Sequence, residues 1–388
     1  MTNKLPVPDP IAQQHSDHLL TIIKQKITEA GGKITFAEYM QHCLYLPGLG
    51  YYSAGSYKLG GQGDFTTAPE ISPLFSQTFA HHIRDVFSQL IRSDILEFGA
   101  GSGKMAVQIL KELERQSCLP EHYYIIEPSA DLRQRQKLLV TEELAHLSDR
   151  VIWLNALPEN FIGVIIANEV CDAMPVHRLH FQDGEVKERY ISVENDQLQW
   201  CEDELSQEDL LRHANSIQAL VGDIEVITEI SVASQAWLTS LSDCLQQGAI
   251  FIIDYGYPKA NYYHPQRRDG TLMCYYQHQG HGNPLILQGL QDITAHVDFT
   301  GLAQVAFDNG LDVDGFQSQA DFLLAGGITE LANRTEKNDE MSLFKQATEI
   351  KRLTLPSEMG ETFKVLTLTR ALNHPLPKCQ LADRRHSL

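Results

Sequence analysis

The 388-residue chain is 43% hydrophobic and carries 50 acidic against 31 basic side chains, a net charge of −19 at pH 7. The hydrophobic content excludes a disordered polymer, and the negative balance excludes non-specific binding to nucleic-acid phosphates. No run of about 18 apolar residues occurs, which excludes membrane insertion by a helix. Seven scattered cysteines without a C-x-x-C pair exclude a zinc ribbon or disulfide frame.

The length suits one enlarged domain or two. Residues 1–10 hold three prolines, lack the apolar centre of a secretory signal and read as a loose lead-in; free thiols and the charge fit a cytoplasmic location. Apolar residues at helical spacing predict a helix over His18–Ala30, ended by Gly31 and Gly32. Thr35 and Glu38 form a capping-box pattern for a second helix to about Leu46, stopped by Pro47. A long segment without periodicity follows. Its polar residues Asp64, Thr66, Thr67 and Glu70 are candidate ligand contacts, because a long loop inside a compact domain is usually functional or disordered. Ser72 and Pro73 then open a helix to about Ile91.

Asp94–Ala106, DILEFGAGSGKMA, reads as a buried strand ending in Glu97, a turn with Gly99, Gly101 and Gly103, and a helix from about Lys104. Glycine permits positive φ and close approach of a ligand, and the helix start offers unpaired N–H groups. The spacing fits neither G-x-G-x-x-G nor a P-loop. The remaining pattern, acid-x-G-x-G-x-G, resembles motif I of class I S-adenosylmethionine (SAM) methyltransferases, which implies Glu97 near the amino end of the methionine part. On this stretch alone a nucleotide site and a plain connecting turn stay open. Tyr123–Ile126 is the next strand, and it ends in Glu127, 24 residues after Gly103 and placed to accept from ribose hydroxyls. Asp131–Leu147 is a charged helix and Val151–Leu154 a third strand, followed by Asn155 and Ala156 as candidate adenine-side contacts.

Strand Phe161–Ala167 runs into Asn168, Glu169 and Asp172. Paired carboxylates at a strand's carboxyl end suit a guanidinium, whose fork they match; capping a following helix is the compatible alternative. Leu179–Val193 reads as a hairpin about Asp183-Gly184, and Cys201–Asp209 as a solvated acidic run. Glu225–Ile230 continues the core pattern, Ser231–Leu245 a helix, and Ala249–Ile253 an apolar strand ending in Asp254 and Tyr255, for which structural and substrate-contact roles are both open. His278 and His281 are too sparse for a metal site, so no metal is expected, and His278 stands as a candidate substrate contact. Asp292–Asp298 is strand-like, Gly315–Leu324 and Asp339–Leu353 helical, Phe363–Thr369 a final strand and residues 375–388 a frayed, flexible tail.

Together LGYYS (49–53), GDFTTAPEIS (63–72), LEFGAGSG (96–103), NEVCDAMPVHR (168–178), IDYGY (253–257), DITAHVDF (292–299) and MGETFKVL (359–366) resemble the MidA-type family of SAM-dependent methyltransferases. Its mitochondrial members are complex I assembly-factor protein arginine methyltransferases. The resemblance implies a Rossmann-like α/β class I core over residues 93–374, a helical region over 1–92, a hairpin insertion near 179–222 and an elaboration near 263–362. It implies SAM as cofactor, held by Gly99, Gly101, Gly103 and Glu127 under a loop at 63–70, with Asn168, Glu169 and Asp172 at the catalytic mouth. Val170 and Cys171 replace aromatic residues common in the family, which alters the pocket wall and leaves the carboxylate in place. The acceptor implied is arginine in a protein substrate. A SAM-fold assembly chaperone, or a methyltransferase for a non-protein acceptor, is the alternative. Neither nucleic-acid partner nor membrane insertion is expected, and a homodimer is left open.

Overall fold

The computed structural model describes residues 5–54, 66–334 and 340–388. The chain starts with helix α1 (Pro10–Glu29), capped by Asp9, then strand β1 (Lys33–Thr35) and α2 (Phe36–Tyr45), where Thr35 and Glu38 complete the capping box. A short α3 (Ala68–Ile71) and α4 (Pro73–Phe87) follow. The central alternation is β2 (Asp94–Phe98), α5 (Lys104–Arg115), β3 (Tyr123–Ile126), α6 (Ala130–Glu143), β4 (Val151–Leu154) and β5 (Phe161–Asn168). Next come β6 (His177–Gln182), β7 (Glu185–Glu194), β8 (Gln197–Asp203), α7 (Glu208–Val221), β9 (Val226–Ile230), α8 (Val232–Cys244) and β10 (Leu245–Tyr257). The last strands are β11 (Met273–Tyr276), β12 (Gln279–His281), β13 (Asp292–Thr294), β14 (Val297–Asp298), β15 (Asp312–Ser318) and β16 (Phe363–Arg370).

Eight strands form the core sheet in the order β15-β16-β10-β5-β2-β3-β4, with β14 beside β10. From β10 to β4 the pairing is parallel, and β16 runs antiparallel to both neighbours. This is a class I methyltransferase-type α/β core. Side chains alternate across it: Val164, Ile166, Phe251 and Ile253 pack under α4 and α5, whereas Ile165, Ile250 and Ile252 pack under α8. The chain leaves β2 toward β4 and returns to β5 on the other side of β2. The switch point, and the crevice beyond it, therefore lies between the ends of β2 and β5.

A second, antiparallel sheet has the order β1-β7-β6-β9 with β8 on β7. β1 belongs to the N-terminal region and β7 to the hairpin insertion, so these two segments share one layer. Asp183 and Gly184 turn the hairpin with positive φ at both positions. Helix α1 starts at Pro10, eight residues before the expected His18, and Cys201–Asp203 of the acidic run belong to β8; three further expectations change. Gly315–Ser318 are strand, not helix, because they pair with β16. No helix starts after β5, so Glu169 and Asp172 cap none. Residues 375–388 are packed, not frayed: Leu376 and Cys379 are buried, and the Arg384 backbone donates to Phe316 at 2.7 Å. Among the described residues no helix is long and apolar enough to cross a membrane.

Candidate active site

The crevice at the switch point opens into a cavity of about 880 Å³, within the range of about 300–1,000 Å³ usual for small-molecule sites. Its floor is the turn after β2. Gly99, Gly101 and Gly103 have φ of 59°, 54° and 85°, the left-handed region that only glycine enters freely. Gly99 and Gly101 line the cavity; Gly103 does not, and instead caps α5. Glu97 is buried beside the turn and accepts from the Tyr123 hydroxyl at 2.8 Å; burial pushes its carboxyl up to about 7. Glu127, at the tip of β3, accepts from the Ser129 backbone at 2.9 Å and from Gln136 at 3.2 Å, and burial pushes it also to about 7.

Gln136 was not legible as a site residue. Fully buried on α6, it donates to the Gly101 carbonyl at 2.9 Å and accepts from the Trp153 indole at 2.8 Å, so one amide ties the glycine turn to Glu127 and β4.

The opposite wall is the segment after β5. Glu169 has φ of 54°, strained for a non-glycine residue, and its N–H is fixed by the Ile253 carbonyl at 2.8 Å. Asn168 donates to its carboxylate at 3.2 Å. Burial, then the nearby Asp172 charge, pushes Glu169 up to about 8. Asp172 is buried and raised for the same first reason; its Oδ2 accepts from the Tyr255 hydroxyl. Its Oδ1 and the Asn168 Oδ1 are buried without a hydrogen-bond partner. Asn168, Glu169 and Asp172 therefore line one side of the cavity with two buried, unpartnered oxygens behind its surface, and no described lysine or arginine pairs with Glu169 or Asp172.

Other candidates fall elsewhere. Thr66 and Thr67 line the cavity, and Asp64 lies outside the described residues. Glu70 reaches the cavity, but its carboxylate is spent on Ser102 and on Lys104 at 2.5 Å, latching α3 to the glycine turn rather than awaiting substrate. Asp254 does not line the cavity: it accepts from the backbone N–H groups of Cys171, Asp172 and Tyr255 at 3.0, 3.2 and 2.9 Å. It holds the turn that presents Asp172. Asn155 and Ala156 are exposed beyond β4 and off the cavity wall, with Asn155 accepting from Arg133 at 2.7 Å. His278 is exposed at the tip of the β11–β12 hairpin, where Gln277 and His278 both need positive φ, and it does not reach the cavity.

Residues no motif reading placed there complete the wall. Tyr45 and Tyr52 stack at 5.6 Å, the Tyr52 hydroxyl donates to Asp292 at 2.9 Å, and Tyr275, Thr294, His296 and Arg352 line the remainder. His296 lies between Tyr255 and Tyr257, and burial lowers its imidazole to about 4, so it is neutral at pH 7.

The residues fit SAM. A left-handed glycine floor admits a ligand chain, and buried acids with orphaned acceptor oxygens suit a cationic sulfonium nucleoside. The comparisons agree. A family model described as "Putative S-adenosyl-L-methionine-dependent methyltransferase" matches residues 78–317. A COG1565 superfamily member from Burkholderia thailandensis, solved bound to S-adenosyl-homocysteine, is 38% identical with a TM-score of 0.95, covering 99% of this chain and 100% of that one. The Drosophila melanogaster protein named "Protein arginine methyltransferase NDUFAF7 homolog, mitochondrial" is 26% identical over 93% of this chain and 87% of its own length. The human protein arginine methyltransferase NDUFAF7 is 26% identical over 90% of this chain and 82% of its own length.

Proposed function

The chain belongs to this family of SAM-dependent methyltransferases, and from that premise we propose that its acceptor is an arginine side chain of a protein. The observation that carries the reading is the acceptor-only wall: Asn168 Oδ1 and Asp172 Oδ1 are buried and unpartnered beside the Glu169 carboxylate. A guanidinium has five N–H donors and no acceptor, so it is the complement of that wall. The names of the arginine-methylating relatives point the same way.

When bound, SAM supplies an electrophilic methyl group on its sulfonium. The protein's part is to orient and to move one proton. Glu169 and Asp172 would accept N–H bonds from the guanidinium and so orient its nitrogens within the cavity. Its raised proton affinity suits Glu169 to take the proton that the attacking nitrogen loses as its bond to carbon forms. Tyr255 holds Asp172 through Oδ2 and leaves Oδ1 to the substrate. Helix α3 is latched to the glycine turn and the start of α5 through Glu70.

The test uses tritiated SAM, a library of arginine-containing peptides and Glu169→Gln. The wild type is expected to label arginine peptides. The variant should lose at least about 10²-fold in rate with S-adenosylhomocysteine affinity unchanged within about threefold. Label on a small molecule or nucleic acid instead would refute the arginine reading, and full activity in Glu169→Gln would refute the role given to Glu169.

A further inference from the structure

We propose that Arg352 is the counter-ion for the carboxylate at the amino-acid end of the bound cofactor. SAM and its demethylated product both carry that carboxylate. Glu70, Glu97, Glu127, Glu169, Asp172 and Asp292 all line the cavity, and each of them repels it when ionised. Among the described residues that line the cavity, Arg352 is the one permanent cation. It projects from the helix Glu340–Thr354, which packs against α3.

Its position fits the role. Arg352 also lines the groove that continues outward from the cavity, together with Thr66, Glu70 and Lys104. Glu70 bonds both Ser102 of the glycine turn and Lys104 at the start of α5. Arg352 therefore stands on the side of the cavity where the glycine turn meets α5, at the mouth rather than at the buried acids. Of the two lysines in that groove, Lys104 is already committed to Glu70 at 2.5 Å, and Lys345 does not line the cavity. Arg352 is exposed and makes no ion pair with a described acid, so its guanidinium is available. A planar fork of N–H donors matches a carboxylate bidentately and gives direction as well as charge. The assignment concerns only the cofactor and does not depend on which acceptor is methylated.

The test compares two ligands on the full-length protein by calorimetry: S-adenosylhomocysteine, and 5′-methylthioadenosine, a thioether nucleoside without the amino-acid chain. Arg352→Met should weaken S-adenosylhomocysteine at least about tenfold, the scale of a charge-assisted pair. It should leave 5′-methylthioadenosine within about twofold, and Arg352→Lys should recover part of the loss. Thermal unfolding without ligand should match wild type, since no described ion pair is removed. If Arg352→Met fails to fold, the same two-ligand comparison on Arg352→Lys decides, with a severalfold loss expected for S-adenosylhomocysteine alone. An unchanged affinity for S-adenosylhomocysteine would mean that Thr66, Thr67 or backbone N–H groups hold the carboxylate, and it overturns the proposal. So does an equal loss for both ligands.

Discussion

Asp172 and Asp254 are both buried near one turn, yet they do opposite things. Asp254 has its oxygens taken by three backbone N–H groups and serves the turn, whereas Asp172 lines the cavity and keeps one buried oxygen unpartnered. The difference rests on Tyr255, whose hydroxyl donates to the other Asp172 oxygen and lowers its proton affinity against the burial that raises it. Tyr255→Phe removes that donor. Asp172 then protonates at higher pH, and the acidic limb of the pH–rate profile for methyl transfer should move to higher pH, with about a tenfold loss at pH 7. S-adenosylhomocysteine affinity should hold. An unshifted limb would show that ionised Asp172 is not required. Such differences explain what the sequence could convey about residues. An acid at a strand's carboxyl end is readable, because strand and turn chemistry are local. Whether it faces the cavity, as Asp172 does, or folds back onto backbone, as Asp254 does, or onto a neighbouring helix, as Glu70 does, depends on partners far away in sequence.

At the scale of elements, the parallel strands and the glycine turn follow from short apolar runs bounded by turn residues, and β3 and β4 fall where that pattern predicts. β15 was misread because a short run such as Asp312–Ser318 is fixed only by its pairing with β16. Asp292 and Arg352 were not assigned to the site for a related reason: each reaches the cavity from an element whose own pattern shows only a helix or a strand, and Gln136 braces the glycine turn from behind, off the cavity wall. The glycines inside strands carry a separate constraint. Gly163 on β5 has φ of 152°, and a Cβ there would lie 2.0 Å from the Asp94 carbonyl on β2. Gly248 on β10 repeats this against Gly163 at 1.8 Å. Gly163→Ala must therefore part the strands that frame the switch point, and it should cost about 3 kcal/mol or more in urea unfolding. Gly31→Ala, also at positive φ but with nothing within 4 Å, should cost about 1 kcal/mol. Equal losses at the two positions would mean that the close approach between strands carries no weight.

At the scale of the whole molecule, acids with raised proton affinity gather around one cavity in a chain of net charge −19. Burial holds Glu97 and Glu127 at about 7 and Glu169 at about 8. Ordinary glutamates in the unfolded chain titrate near 4.3, so between that value and about pH 8 the folded protein binds more protons than the unfolded one. Stability contributed by these groups is complete below the unfolded value and is lost as pH rises through 7 and 8. The ligand-free protein should therefore melt at progressively lower temperature from pH 6 to pH 8.5. A cation reverses the balance, since it favours the ionised carboxylates and expels their protons. SAM carries the sulfonium charge and its demethylated product does not, so the stabilisation by SAM should grow with pH across that window more steeply than that by S-adenosylhomocysteine. The same asymmetry would help the site release product after the methyl group leaves. Thermal-shift titrations of both ligands at pH 6, 7 and 8.5 measure it. Parallel pH dependences for the two ligands would place the sulfonium charge beyond the influence of these acids.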